Sequence, residues 1–171
     1  MGQHIPVTNS KSKYKQGYYI PKYPEKCILT ESSLDKKGNF YRSAWERRFM
    51  FWVDHNPTIL KWSSEPFSIP YWSEVKKAQA LSKGKAYNGS KYFIDFYLKN
   101  DKNEEFLVEV KPLAETKPPK MPKKKTQKAM AGYMMKMATY EINVEKWKAA
   151  EQFCLQKGLY FKIITEVELK F

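Results

Sequence analysis

Two acidic residues and a lysine stand where they could bind a metal ion and act on a phosphate. Asp95 lies in a strand-like stretch, and Glu109 and Lys111 lie one residue apart in the next such stretch. Hard divalent cations such as Mg²⁺ bind through one or two carboxylates together with phosphate oxygens and water. A neighbouring lysine could orient or deprotonate a water molecule, or stabilise developing negative charge. These residue types point to chemistry on a phosphate ester.

The arrangement depends on a predicted β-hairpin formed by residues 91–98 and 105–111. Successive strand side chains point to opposite faces of a sheet, so matching the apolar residues of the two strands fixes their register. The opposite face then carries both Asp95 and Glu109. If the connecting loop has an odd number of residues, such as Asn100–Glu104, their Cβ atoms lie about 5 Å apart. The predicted apolar face consists of Ile94, Phe96, Leu98, Phe106, Val108 and Val110.

Each candidate residue also has an ordinary structural interpretation. Like charges directly across two strands repel, and a bound cation would relieve that repulsion. A Glu-x-Lys triplet is nevertheless common on solvated strand faces. Glu46 is a third candidate acid, but Ser43 precedes it by three residues, which is the spacing of a capping box. Because Glu46 is next to Trp45, at the edge of the apolar stripe of its helix, it could also reach the sheet. Both roles stay open.

The helices and strands that must position these residues are predicted from the spacing of apolar residues, from helix-capping residues, and from the Pro and Gly residues that end regular structure. Besides the hairpin, the sequence predicts a helix over about 43–54, strands over 58–62 and 67–72, a polar connection over 73–90, helices over about 123–140 and from Asn143 to Gly158, a strand over 159–165 and a further one over 167–171.

Charge is the most distinctive property of the composition. The chain of 171 residues has 31 Lys and Arg against 18 Asp and Glu, a net charge of +13, which favours a polyanionic partner. The length suits one domain, and no apolar run approaches the length of a membrane span, so no membrane partner is expected. The two cysteines and two histidines lack the spacing of zinc sites. The lysines predicted to contact nucleic acid are Lys117, Lys120, Lys123, Lys124, Lys125 and Lys128.

We divide the chain into an N-terminal arm, residues 1–40, and a domain, residues 41–171. The arm mixes tyrosines with lysines, a composition that suits phosphates and bases but equally suits draping over the protein's own surface. Within the domain, residues 112–125 form a basic loop rich in Pro and Lys. This loop could grip a nucleic-acid backbone or serve as a solvated linker.

The order of Glu46, Asp95 and Glu109-Val110-Lys111 along the chain resembles the PD-(D/E)XK nuclease superfamily over about residues 41–166. The resemblance implies an α/β fold with an αβββαβ core, in which helices flank a central mixed sheet. It also implies hydrolysis of DNA phosphodiester bonds with Mg²⁺, for which Mn²⁺ could substitute. The metal would be held by Asp95, Glu109, the Val110 carbonyl and Glu46, and Lys111 would position the attacking water.

Within that superfamily the chain is more similar to transposon-end endonuclease subunits, and still more to head completion nucleases of T-even-type tailed bacteriophages. The second resemblance implies a role on double-stranded DNA after packaging, with phage head or portal proteins as partners, in the host cytoplasm or the virion head. Oligomeric state stays open. The stretches that carry the resemblance are Tyr41–Glu46, Ser64–Phe67, Tyr92–Phe96, Val108–Pro112 and Lys157–Glu166.

Two other interpretations are compatible with the same residues. A nuclease-like fold could clamp DNA or plug a portal without cleaving anything, its acids left from an active ancestor. A junction resolvase or transposase partner would share the site chemistry and differ only in its substrate. Cleavage assays separate the first alternative from the enzyme, and branched against linear substrates separate the second.

Overall fold

A four-stranded mixed sheet forms the centre of the molecule. The structure is a computed structural model that describes residues 16–28 and 39–169. Its elements in chain order are β1 (Gly17–Tyr19), β2 (Asn39–Tyr41), α1 (Ala44–His55), β3 (Ile59–Ser64), β4 (Ser68–Tyr71), α2 (Glu74–Leu81), β5 (Ser90–Phe93), β6 (Phe96–Asn100), β7 (Glu105–Val110), α3 (Gln127–Lys157) and β8 (Tyr160–Ile164). The central sheet has the order β3-β6-β7-β8, in which only the β7–β8 pair is parallel.

Helices cover both faces of this sheet. On one face, Phe49 and Val53 of α1 pack against Phe96 of β6 and Val108 of β7. On the other face, Leu107 of β7 is buried in a cluster that includes residues of α3. The predicted αβββαβ core is therefore confirmed as α1-β3-β6-β7-α3-β8, with β4, α2 and β5 inserted after the first strand. None of the helices within the described ranges combines the length and apolar character that crossing a bilayer requires.

The first strand of the predicted hairpin is broken, which corrects the face assigned to Ile94. Residues 90–93 form β5 and pair with β4, whereas β6 begins at Phe96 and joins the central sheet. Because the chain changes sheets between them, Ile94 packs beside Leu107 on the α3 side, not beside Phe96 on the α1 side. Strict alternation fails here because both faces of the sheet are covered and apolar, so the apolar pattern alone does not reveal the bend.

The two predicted C-terminal helices are one helix, α3. The hydroxyl of Thr126 caps it by accepting from the amide of Ala129, at 3.2 Å. Asn143, which we had expected to start a second helix, is instead buried within it. No proline interrupts residues 127–157, and tertiary burial overrides the modest helix propensity of Asn. Gly158 ends the helix as predicted, with a left-handed φ of 69°.

Two further expectations were wrong. The polar connection over residues 73–90 contains α2, whose start is capped by the hydroxyl of Ser73. The expected strand over 167–171 is a turn as far as Leu169, and its last two residues lie outside the described residues. The basic loop lacks regular structure apart from a short 3-10 turn at Leu113–Glu115. The other predicted helix and strands are present within a few residues of their expected bounds.

Part of the predicted N-terminal arm packs on the domain, and Asp54 anchors it. The carboxylate of Asp54 is fully buried and accepts hydrogen bonds from the Tyr19 hydroxyl at 2.8 Å and from the backbone amides of Lys22 and Tyr23 at 2.7 and 3.2 Å. The Lys26 ammonium binds carbonyl oxygens at the end of α1. Residues 16–28 therefore drape over the protein's own surface, while residues 1–15 and 29–38 of the arm lie outside the described residues.

Candidate active site

Asp95 and Glu109 occupy facing positions at the end of the β6–β7 pair. Phe96 and Val108 form the last pair of this ladder, and Asp95 and Glu109 are the next residues beyond it, so extending the register by one residue brings Asp95 opposite Glu109. At the other end Lys99 pairs with Glu105, which leaves the five-residue connection Asn100–Glu104. The connection therefore has the odd number of residues that facing acids require.

The Asp95 carboxyl is half-buried near two other carboxylates and one lysine. Its Oδ2 accepts a hydrogen bond from the backbone amide of Val110 at 2.9 Å, which ties Asp95 to β7. Burial and the nearby Glu109 carboxylate raise the pKa of Asp95 well above its ordinary value, Glu46 adds to the increase, and Lys111 opposes it. The two facing acids therefore interact, as the strand register requires.

Glu109 is almost completely buried, and each of its oxygens has a partner. The side chain is 3% exposed. One oxygen lies 3.0 Å from the Lys111 ammonium, and the other accepts a 2.6 Å hydrogen bond from the hydroxyl of Tyr92. Burial and the charge of Glu109 raise the pKa of Tyr92, so this hydroxyl stays a donor. A buried carboxylate held in this way has a defined orientation.

Lys111 lies on the same face as Glu109, immediately after the end of β7. Its backbone amide donates to the carbonyl of Ile164 at 3.0 Å, which extends the pairing with β8. Burial alone lowers the pKa of its ammonium, but Glu109 and Asp95 outweigh that effect and raise it. Lys111 is therefore a charged hydrogen-bond donor beside the two acids.

Glu46 performs the capping role that the sequence suggested. Its two carboxylate oxygens accept from the Ser43 hydroxyl at 2.9 Å and the Arg42 amide at 2.8 Å, and its own amide donates to the Ser43 hydroxyl at 3.1 Å. Glu46 still contributes to the raised pKa of Asp95, so it lies within electrostatic range of the acid pair. Its assignment as a metal ligand stays a prediction.

Sequence reasoning missed several residues that surround the acids. The sequence assigns no role at the site to Tyr92, although it precedes Asp95 by three residues. Lys146 of α3 places its ammonium 5.6 Å from the centre of the Tyr92 ring. Arg42 forms an ion pair with Glu65, whose amide donates to the Asp95 carbonyl at 2.9 Å. No sequence signal distinguishes Lys146 from the other lysines, because its position depends on the continuous α3.

The six lysines predicted to contact nucleic acid are all exposed. They lie on the loop that follows Lys111 and on the first turn of α3. In the part of the chain that the structure describes, none of them forms an ion pair. Their charges are therefore available to solvent or to a partner, and their predicted role stays a prediction.

The donor set suits a hard divalent cation that is shared with a substrate. Across residues 16–28 and 39–169, no three His, Cys, Asp or Glu side chains gather closely enough to hold a metal by themselves. Mg²⁺ does not need such a cage, because it binds through one or two carboxylates and completes its coordination with phosphate and water. Burial first, and then the neighbouring Glu109 carboxylate, raise the pKa of Asp95, and a bound cation would offset both effects by stabilising the charged form. Asp95 and Glu109 therefore fit such an ion.

The chain is similar to known nucleases in two comparisons. The family model described as "TnsA-like endonuclease N terminal" matches residues 56–166, a range that includes Asp95, Glu109 and Lys111 and begins after Glu46. The chain is also 38% identical over 156 residues to a protein named "Head completion nuclease" from Enterobacteria phage T4. That match covers 90% of this chain and 93% of the phage protein.

Proposed function

Because this chain belongs to the family of TnsA-like endonucleases, we propose that it hydrolyses phosphodiester bonds of DNA with the help of a divalent cation. The observation that carries the proposal is the pair of facing acids, Asp95 and Glu109, with the Lys111 ammonium 3.0 Å from Glu109. Asp95 directly precedes β6, Glu109 lies on β7 and Lys111 directly follows β7, so all three belong to one end of this strand pair.

Asp95 and Glu109 would hold Mg²⁺ together with the carbonyl of Val110 and Glu46, and Mn²⁺ could replace it. When bound, such an ion neutralises charge on the scissile phosphate and activates water. Glu109 presents its carboxylate in a fixed orientation, because Tyr92 donates to one oxygen at 2.6 Å. Residues that orient metal ligands in this way commonly influence metal affinity and activity.

Lys111 positions the attacking water and stabilises the additional negative charge of the transition state. Its ammonium has a raised pKa and borders the acid pair, so it can donate hydrogen bonds to oxygen atoms at the reacting phosphate. Glu109 in turn holds the ammonium in place. The lysine therefore acts on the phosphate and the water, and the acids act on the cation.

Double-stranded DNA is the substrate that the charge of the chain favours. The net charge is +13, and six exposed lysines lie on or next to the loop that begins at the site. Neutralising phosphates releases counterions and supplies much of the affinity of proteins for DNA. The six are Lys117, Lys120, Lys123, Lys124, Lys125 and Lys128.

The biological setting that we propose is phage head completion after DNA packaging. Its support is the identity of 38% to a head completion nuclease over nearly the whole of both chains. The protein would then work in the host cytoplasm or in the virion head, on packaged DNA and beside head or portal proteins.

A plasmid cleavage assay tests the enzymatic part. Wild-type protein, Asp95→Ala and Lys111→Ala are incubated with plasmid in Mg²⁺, Mn²⁺ or EDTA. Asp101→Ala and Lys102→Ala are matched controls, because both residues are exposed in the β6–β7 turn away from the acids. We expect metal-dependent cleavage by the wild type and both controls, and none by the two site variants.

The same assay separates the alternatives. Equal background nicking by all five proteins would refute hydrolysis and support a structural protein that only binds DNA or the portal. If cleavage is found, branched and linear duplexes are compared next. A strong preference for branched DNA would assign the activity to junction resolution instead of the processing of DNA ends.

A further inference from the structure

A second lysine, Lys146, lies near the acid pair on the face of the sheet that α3 covers. Lys146 lies on α3, and its ammonium is 5.6 Å from the centre of the Tyr92 ring, a distance typical of a cation–π contact. The hydroxyl of the same tyrosine donates to Glu109 at 2.6 Å. Lys146 is thereby held beside the buried acid by a residue that is itself fixed in the core.

Lys146 belongs to a group of three ammonium ions that come from three different elements. Lys111 follows β7, Lys146 lies on α3, and Lys76 lies on α2, where its ammonium is 3.3 Å from the hydroxyl of Ser90. The pKa of Lys146 is lowered, first by burial and then by the charges of Lys111 and Lys76, against the opposing effect of Glu109. The ammonium of Lys146 therefore lies within electrostatic range of the other two.

The ammonium of Lys146 lacks the direct anionic partner that its surroundings call for. It is half-buried, and among the described residues no carboxylate oxygen lies within the 4.0 Å of an ion pair with it. A partly desolvated charge without such a partner is unfavourable. A phosphate beside Lys146 would pair with its ammonium by a charge-assisted hydrogen bond, and the nearby charge of Lys76 would add to the attraction.

We propose that Lys146, with Lys76 beside it, binds a backbone phosphate of the DNA next to the phosphate that is cleaved. The position of Lys146 is fixed, because Trp147 and Asn143 on either side of it along α3 are buried. This inference rests on the proposed nuclease function, since it places the second phosphate relative to the acid pair. It differs from the predicted role of the lysine loop, whose side chains are exposed and outside this cluster.

The same helix offers a matched control. Lys148 is exposed and lies two residues further on, so its side chain points about 200° around the helix from that of Lys146. Lys148→Ala removes the same charge from the same helix but not from the cluster. Lys146→Arg keeps the charge, and thermal unfolding followed by circular dichroism shows whether each variant is folded.

Binding of a short fluorescent DNA duplex is measured by anisotropy over a range of salt concentrations, in EDTA and in CaCl₂. For Lys146→Ala we expect affinity about tenfold weaker than that of Lys148→Ala, and a salt slope that is shallower by about 0.9, the value of one phosphate contact. Lys146→Arg should recover most of the affinity. In the plasmid assay KM should rise with the dissociation constant, while kcat stays within about twofold.

Failure of the inference differs from failure of the proposed function. If the wild type cleaves DNA but Lys146→Ala matches Lys148→Ala in affinity and slope, Lys146 does not bind the backbone and the nuclease assignment stands. If the wild type binds but does not cleave, hydrolysis is refuted and the binding comparison still decides the role of Lys146. A folded Lys146→Ala that loses kcat without any change in affinity also overturns the inference.

Discussion

Replacing Asp95 by asparagine should stabilise the folded protein while abolishing its proposed activity. Asn keeps an oxygen that can accept the 2.9 Å hydrogen bond from Val110 but removes the charge that faces Glu109. Facing residues on paired strands lie about 5 Å apart, and two like charges at that distance repel by about 3 kcal/mol in an effective dielectric of about 20. The Lys111 ammonium offsets part of this repulsion.

We therefore expect the free energy of unfolding of Asp95→Asn to exceed that of the wild type by about 1–2 kcal/mol in EDTA near pH 7. This corresponds to an increase of about 3–6 °C in melting temperature. The sign of the pH dependence follows from the raised pKa of Asp95. The folded wild type takes up a proton at Asp95 before the unfolded chain does, so its repulsion is relieved as the pH falls through the raised value. Asp95→Asn should therefore be more stable than the wild type at neutral pH, and this difference in the free energy of unfolding should shrink as the solution is acidified.

Urea unfolding at several pH values checks this expectation, with Asp101→Asn as the control that changes the net charge equally at an exposed position. Mg²⁺ should reduce the difference in stability between Asp95→Asn and the wild type, because an ion that binds only the folded wild type stabilises it by mass action. An Asp95→Asn protein less stable than Asp101→Asn at neutral pH in EDTA would refute the reasoning, since the two acids would then not be repelling each other.

Three shorter predictions follow from buried contacts. Tyr92→Phe removes the donor to the buried Glu109 oxygen and should lower cleavage about 10–100-fold, with a loss of about 1–3 kcal/mol in the free energy of unfolding; an unchanged rate would contradict its orienting role. Asp54→Ala leaves the arm amides without their acceptor and should lower the free energy of unfolding by about 3 kcal/mol, measured in urea; a change below about 1 kcal/mol would show that the anchor is weak. Burial raises the pKa of Cys154 to about 11, so this thiol should react with a disulfide reagent near pH 8 only after denaturation, and fast labelling of the native Cys154 would disprove that.

The strand register at the site could be read from the sequence because several constraints agree there. The apolar residues of β6 and β7 are in phase, and the connection Asn100–Glu104 has the odd length that was the condition for facing acids. A one-residue slip would have moved Val108 to the α3 face and turned the Glu109 carboxylate toward the apolar residues of α1. The assignment of Glu46 to a helix cap was similarly local, since it needs only Ser43 at the correct spacing.

The sequence could not reveal features that depend on tertiary packing. Ile94 looks like the continuation of a strand, but the chain leaves one sheet and enters another at this point. Asn143 has the character of a cap residue and is buried inside a helix because neighbouring elements cover it. The helix α2 did carry a signal, namely Ser73 followed by Val75, Ala78 and Leu81 at helical spacing. Its polar composition concealed that pattern.

Because α3 is continuous, it fixes the distance between the lysines at its N-terminus and Lys146. From Thr126 to Lys146 the helix extends about 30 Å, at 1.5 Å per residue, which is the span of about nine base pairs of a duplex. A straight duplex lying along α3 would contact Lys123–Lys125 near the N-terminus of the helix and Lys146 near the acid pair. The distance between these two contacts would therefore be fixed by the helix. The protein would then cover a longer stretch of DNA on one side of the cleaved bond than on the other.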